Sequence, residues 1–218
     1  MIQQTTLNYS IKKPAEINEQ TNLLIMLHGY GSNKDDLFSL SRALPQNLLM
    51  VSAEAPIAMG NNAFAWYSIH FDEAGIKKYN FPQALEAINS ISEFISEIQE
   101  EYGISAKKTI LMGFSQGSIL SIATSLTHPQ KVQKVIGLSG FSDEHIIPKD
   151  LNPSDIANHD FFISHGTEDL VLPIHLGRAT NEFLSKAGIK HQYQEYPEVH
   201  TISQKNLKDA VKWIEERI

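Results

Sequence analysis

No cysteine occurs among the 218 residues. That excludes disulfides, thiolate metal ligands, redox dithiols and a cysteine nucleophile together. It leaves the compartment open, since a chain without thiols tolerates any redox poise. Long apolar runs are missing too: the longest, residues 23–27, falls far short of the ~20 residues a membrane-spanning helix needs. The opening Met1-Ile2-Gln3-Gln4-Thr5-Thr6 has no basic stretch followed by an apolar one, so no secretory leader is expected. Positive charge is scarce. Lys and Arg total 18 against 25 Asp and Glu, a net charge of −7. Only Lys12-Lys13, Lys77-Lys78 and Lys107-Lys108 are adjacent, so no basic stripe exists for nucleic acid, which is not an expected partner. A soluble, cytoplasmic protein is the expectation. The sequence leaves the oligomeric state open, a homodimer included.

What the chain does contain is core-forming material. Ten Phe, seven Tyr, two Trp and many Ile and Leu supply enough apolar surface to exclude intrinsic disorder. No repeat, low-complexity tract or linker interrupts it, so one domain over residues 1–218 is expected. Apolar runs of strand length lie at 23–27, 48–51, 109–114, 132–138 and 161–164. Helical patterns alternate with them. Leu85, Ile88, Ile91, Ile95, Ile98 and Tyr102 recur at spacings of three and four, which puts them on one helical face. Leu176, Ala179, Phe183, Leu184 and Ala187 form a second face between Pro173 and Gly188. Leu207, Ala210, Val211, Ile214 and Ile218 form a third, with Ser203 as its N-cap. Continuous apolar strands between amphipathic helices imply an α/β fold, a mostly parallel sheet covered on both faces. Ligand chemistry then belongs in loops at the carboxyl ends of the strands. Residues 5–11 fit an added antiparallel edge strand. Residues 53–79 show no clear period and read as a long functional loop.

Gly113-Phe114-Ser115-Gln116-Gly117 is a G-x-S-x-G motif. It follows the apolar strand 109–112 and precedes 118–126, a small-and-apolar stretch suited to a buried helix. That is the strand–turn–helix setting of a nucleophile elbow. The glycines have a steric reason: the turn at Ser115 is so sharp that a side chain two residues away on either side would collide. A serine hydroxyl needs a base, and the base an orienting acid, in the chain order Ser, acid, His. Asp169, in the loop after strand 161–164, is the acid expected, with Glu168 and Asp143 as alternatives. Of nine histidines, His200 alone follows a strand (192–196) beyond that acid and precedes the last helix. His175 falls inside a helix and His191 at a strand start. An oxyanion hole would draw one backbone N–H from Gln116 and a second from Tyr30, in Leu27-His28-Gly29-Tyr30-Gly31. His28 reads as structural. No Gly-rich phosphate loop, H-E-x-x-H or EF-hand pattern is present, and neither a metal nor a cofactor is expected.

These motifs, with Ala65-Trp66-Tyr67-Ser68-Ile69, His165-Gly166-Thr167-Glu168-Asp169 and Tyr196-Pro197 leading to His200, resemble the phospholipase/carboxylesterase family of small serine carboxylesterases and acyl-protein thioesterases. The resemblance runs over nearly the whole chain. It implies an α/β-hydrolase fold with little or no lid, no cofactor, and hydrolysis of short to medium acyl esters, lysophospholipids or thioesters. By the same resemblance Ser115, Asp169 and His200 correspond to the triad, and Tyr30 and Gln116 to the oxyanion donors. Trp66 would wall the acyl site, a core aromatic being its other reading, and Val171 would face substrate. The chain departs from the family pattern at Tyr30, usually Leu, at Ser118, usually Gly, and at Glu198-Val199, usually Met-Gly. The implied partner is a small or lipid-like acyl ester. A peptidase or acyltransferase with the same triad, or a binding module without catalysis, are the rival readings.

Overall fold

Successive side chains of the run 23–27 point to opposite sides of a sheet, and each side meets a different layer of helices. The computed structural model describes residues 5–73, 75 and 77–218, so Met1 to Gln4 of the opening stretch lie outside the described residues. Its sheet holds seven strands: β1 (Tyr9–Lys12), β2 (Leu23–Leu27), β3 (Leu49–Ala53), β8 (Thr109–Phe114), β9 (Lys134–Leu138), β10 (Asp160–Gly166) and β11 (Lys190–Tyr196). Their spatial order is β1-β3-β2-β8-β9-β10-β11. All neighbours run parallel except β1, which pairs antiparallel with β3, Tyr9 opposite Ala53. The antiparallel edge strand expected over 5–11 is therefore present, shorter and shifted toward Lys12.

On one face Leu23, Ile25 and Leu27 pack with Ile88, Ile91 and Ile95 of α2 (Phe81–Tyr102) and with Leu120 and Ala123 of α3 (Gln116–Thr127). Beside them Ile122 and Leu126 of α3 meet Phe161, Ile163 and Leu184, the last from α5 (Ile174–Lys186). On the opposite face Leu24 and Met26 pack with Leu37 of α1 (Lys34–Phe38) and with Ala210, Trp213 and Ile214 of α6 (Gln204–Glu215). A further short helix, α4 (Pro153–Ile156), precedes β10. The helix ends follow local chemistry. Asn80 accepts the Gln83 N–H at the start of α2, Gly103 closes it at φ 66°, and Ser203 accepts the Asn206 N–H at the start of α6.

Two helical faces differ from the periodic expectation. Leu85 is 47% exposed, and the stripe of α2 that reaches the sheet begins one step earlier, at Ala84. Ala179 faces solvent as well, because α5 turns Gly177, Thr180 and Leu184 inward. Residues 53–79 are not one irregular loop. They contain two small antiparallel hairpins, β4 (Ile57–Gly60) with β5 (Ala63–Ala65), and β6 (Ile69–Phe71) with β7 (Lys77–Tyr79). The first turns through Asn61 and Asn62, both at positive φ, as a tight hairpin turn demands. Within the second, Ala74 and Ile76 lie outside the described residues.

Candidate active site

The parallel strands bring four loops to one end of the sheet, and the β8–α3 junction stands at its centre. Ser115 is held there at φ 53° and ψ −116°, a backbone region that ordinary residues avoid. Its own N–H is fixed to the Leu138 carbonyl at 2.9 Å. The glycines follow from contact. A Cβ on Gly113 would sit 2.2 Å from the Gly117 carbonyl oxygen, and one on Gly117 would sit 2.0 Å from that of Leu27. Ser118 fits because its neighbours are bare. A Cβ on Gly140 would lie 2.4 Å from the Ser118 Oγ, and one on Gly137 2.9 Å from it.

Ser115, His200 and Asp169 come together. The Ser115 Oγ lies 2.8 Å from His200 Nε2, and His200 Nδ1 lies 2.6 Å from Asp169 Oδ2. The other carboxylate oxygen, Oδ1, accepts the N–H groups of Val171 and Leu172, each at 2.8 Å. Asp169's side chain is wholly buried, whereas that of His200 keeps 15% of its surface open. The Phe114 ring packs against the His200 imidazole at 4.9 Å. This geometry turns Nδ1–H of His200 toward the acid and leaves Nε2 as an acceptor for the serine proton. The alternatives stand elsewhere. Asp143 accepts from the backbone and Nδ1 of His145, at 3.0 and 2.8 Å, while Glu168 and His175 are exposed. His191 bonds Asn181 and the Ile189 carbonyl.

Tyr30 and Gln116 flank the serine on two loops. Gly31 N–H donates to the Phe64 carbonyl and Ser32 N–H to that of Gly29, so the loop is braced on either side of Tyr30, whose own N–H meets no acceptor among the described residues. Gln116 opens α3, where the first-turn N–H groups have no intrahelical acceptor. Its side chain has a separate task. Oε1 accepts the Trp66 N–H at 2.9 Å and Nε2 donates to the Tyr67 carbonyl at 2.8 Å, which clamps the 66–67 segment beside the serine.

A cavity of about 340 Å³ opens beside Ser115 and His200, walled by Tyr30, Tyr67, Ile69, Phe71, Ile119 and Val171 among others. Val171 lines the cavity. Trp66 does not. It is 1% exposed, packs beside the His28 ring at 5.5 Å, and donates its indole N–H to the His28 carbonyl at 2.9 Å. Its neighbour Tyr67 walls the cavity instead, since adjacent residues point opposite ways. His28 is fully buried and bridges two backbones: Nδ1–H donates to the Gly29 carbonyl, and Nε2 accepts the Ala55 N–H. Burial pushes its imidazole below the ordinary value, so it stays neutral. Among the described residues no three His, Asp or Glu side chains converge as a metal site, and no helix is long and apolar enough to cross a membrane.

Solved structures share this architecture. That of esterase PE8 superposes with a TM-score of 0.80 at 24% identity, over 97% of this chain and 99% of that one. That of a carboxylesterase from Mesorhizobium loti superposes with a TM-score of 0.82 at 19% identity, over 98% and 97%. The sheet order, the flanking helices and the strained serine turn are those of the α/β-hydrolase fold. A family model described as phospholipase/carboxylesterase matches residues 9–218, and the chain belongs to that family. Among its curated relatives, acyl-protein thioesterase 1 of Candida albicans is 30% identical over 94% of this chain and 96% of its own length. The carboxylesterase SOBER1 of Arabidopsis thaliana is 30% identical over 62% of this chain and 59% of its own length.

Proposed function

We propose that this protein is a serine hydrolase of carboxylic esters and thioesters, working through an acyl-enzyme. The observation that carries the reading is the continuous relay from the Ser115 Oγ through His200 to the buried Asp169, opening on an apolar cavity. His200 Nε2 takes the proton as Ser115 Oγ attacks the substrate carbonyl. The oxyanion that forms lies between the N–H groups of Tyr30 and Gln116, each such donor contributing ~2.7–4 kcal/mol in comparable sites. The C–O or C–S bond then breaks, and His200 returns its proton to the departing alcohol or thiol. Water, deprotonated by the same imidazole, attacks the acyl-serine; the bond from the acyl carbon to Ser115 Oγ breaks, His200 returns the proton to Oγ, and the carboxylic acid leaves. Asp169 holds the imidazole tautomer and stabilises the imidazolium.

The cavity of about 340 Å³ lies at the small end of the ~300–1,000 Å³ typical of small-molecule sites, which favours short to medium acyl chains. The family relatives named for thioester and ester cleavage support both leaving groups. No metal or cofactor enters the scheme, and the proposed setting is a single cytoplasmic domain. A p-nitrophenyl ester series from acetate to palmitate tests it. Turnover peaking at short or medium chains is expected; a preference for palmitate contradicts the pocket assignment, and no turnover at any length contradicts the hydrolase itself.

A further inference from the structure

His165 has no part in that scheme, yet it sits directly behind the acid. It lies near the end of β10, is 0% exposed, and packs against α5 at Gly177, where a Cβ would come within 2.8 Å of the ring. Its Nε2 is 2.7 Å from the Leu172 carbonyl oxygen and 3.5 Å from Asp169 Oδ2. Both neighbours are acceptors, so Nε2 must carry the proton. Nδ1 has no hydrogen-bond partner among the described residues. An apolar side chain of similar size would fill the same space without stranding a buried ring nitrogen, which is unfavourable. What histidine supplies here is the donor edge at Nε2.

That edge closes a ring of contacts around the acid. The Leu172 N–H donates to Asp169 Oδ1, and the Leu172 carbonyl accepts from His165. Asp169 Oδ2, the atom that faces His200, lies on the same side as the His165 N–H. We infer that His165 is a positioning residue for the reaction. As an Nε2–H donor, it fixes the 169–172 turn and, through it, the angle at which Asp169 meets His200. The inference rests on the triad reading above. The 169–172 turn also carries Val171 and Leu172, which line the cavity, but the effect falls chiefly on the chemical step, because the acid in that turn is what meets His200.

The test compares His165→Met, which fills the space without a donor, and His165→Gln, whose amide N–H can reach the Nε2 position, with wild type and Ser115→Ala. The substrate is p-nitrophenyl butyrate. In the folded Met variant kcat is expected to fall by about tenfold, the size of one buried hydrogen bond lost from the turn that carries the acid, and by more than any change in KM. The Gln variant is expected to regain most of that loss. A Met variant with wild-type kcat, a Gln variant as slow as Met, or a loss confined to KM overturns the inference. Nitrogen-15 NMR of the wild-type protein gives a reading that needs neither variant nor turnover. A proton on Nε2 is expected for His165, and an Nε2 that carries none overturns it. The two levels separate cleanly: wild-type turnover in Ser115→Ala removes the triad, whereas an inactive Ser115→Ala beside an unimpaired His165→Met removes only the positioning role.

Discussion

Asp169 receives three N–H groups, two from its own turn and one from His200, and each constrains what a substitution can do. In Asp169→Asn the amide oxygen can still accept from Val171 and Leu172, so the turn survives. The amide nitrogen then faces His200 Nδ1 and forces the imidazole proton onto Nε2, where it points at Ser115 and blocks deprotonation. Turnover is expected to fall ~10⁴-fold with the fold intact, measured as kcat beside a circular-dichroism spectrum. Asp143→Asn, whose carboxylate accepts from His145, is expected to leave kcat near wild type; a large loss there would transfer the acid role. The convergence of Ser115, Asp169 and His200 was legible in the residues because the motif, the strand ends and the chain order each narrow the choice. The side on which Trp66 and Tyr67 stand was not. Neighbouring residues on an extended segment face opposite ways, and which one walls the cavity depends on the Gln116 clamp, whose partners lie about fifty residues away in sequence.

The β8–α3 junction is the element where backbone crowding is most severe. Gly117 touches the end of β2 so closely that Gly117→Ala requires the two backbones to separate. A loss of about 3 kcal/mol in unfolding free energy, the upper end of the usual cost of overpacking, is expected from a denaturant titration, together with loss of activity. Gly103→Ala, at the open C-terminal cap of α2, meets no neighbour and is expected to lose only about 1 kcal/mol through its positive φ. Equal losses at the two sites would contradict the crowding argument. The central strands and the longer helices could be read from the chain because burial on both faces leaves near-continuous apolar runs, and helix faces leave a period near 3.6. The two hairpins within residues 53–79 could not, since strands of three or four residues are too short to show alternation. Asn61-Asn62 was the one local signal, a pair suited to positive φ, and it marks the first hairpin's turn.

Across the whole molecule, burial lowers the imidazole affinity for protons at His28, His159 and His128. In the unfolded chain these groups protonate near ~6.5, while in the folded protein they resist until lower pH. Over that window the unfolded state binds more protons, so stability is fully present above ~6.5 and declines as the pH falls through the lowered folded values. The melting temperature is therefore expected to drop between about pH 7 and pH 5. A melting temperature that holds or rises over that interval contradicts the burial of these imidazoles as neutral groups.

The central claim is that Ser115 becomes covalently acylated during turnover. Incubation with a fluorophosphonate, followed by intact mass and peptide mapping, tests it most directly. The account predicts one adduct per chain on Ser115, complete loss of p-nitrophenyl butyrate hydrolysis in proportion to labelling, and no adduct in Ser115→Ala. Labelling that leaves hydrolysis untouched, or an adduct that persists in Ser115→Ala, would contradict it.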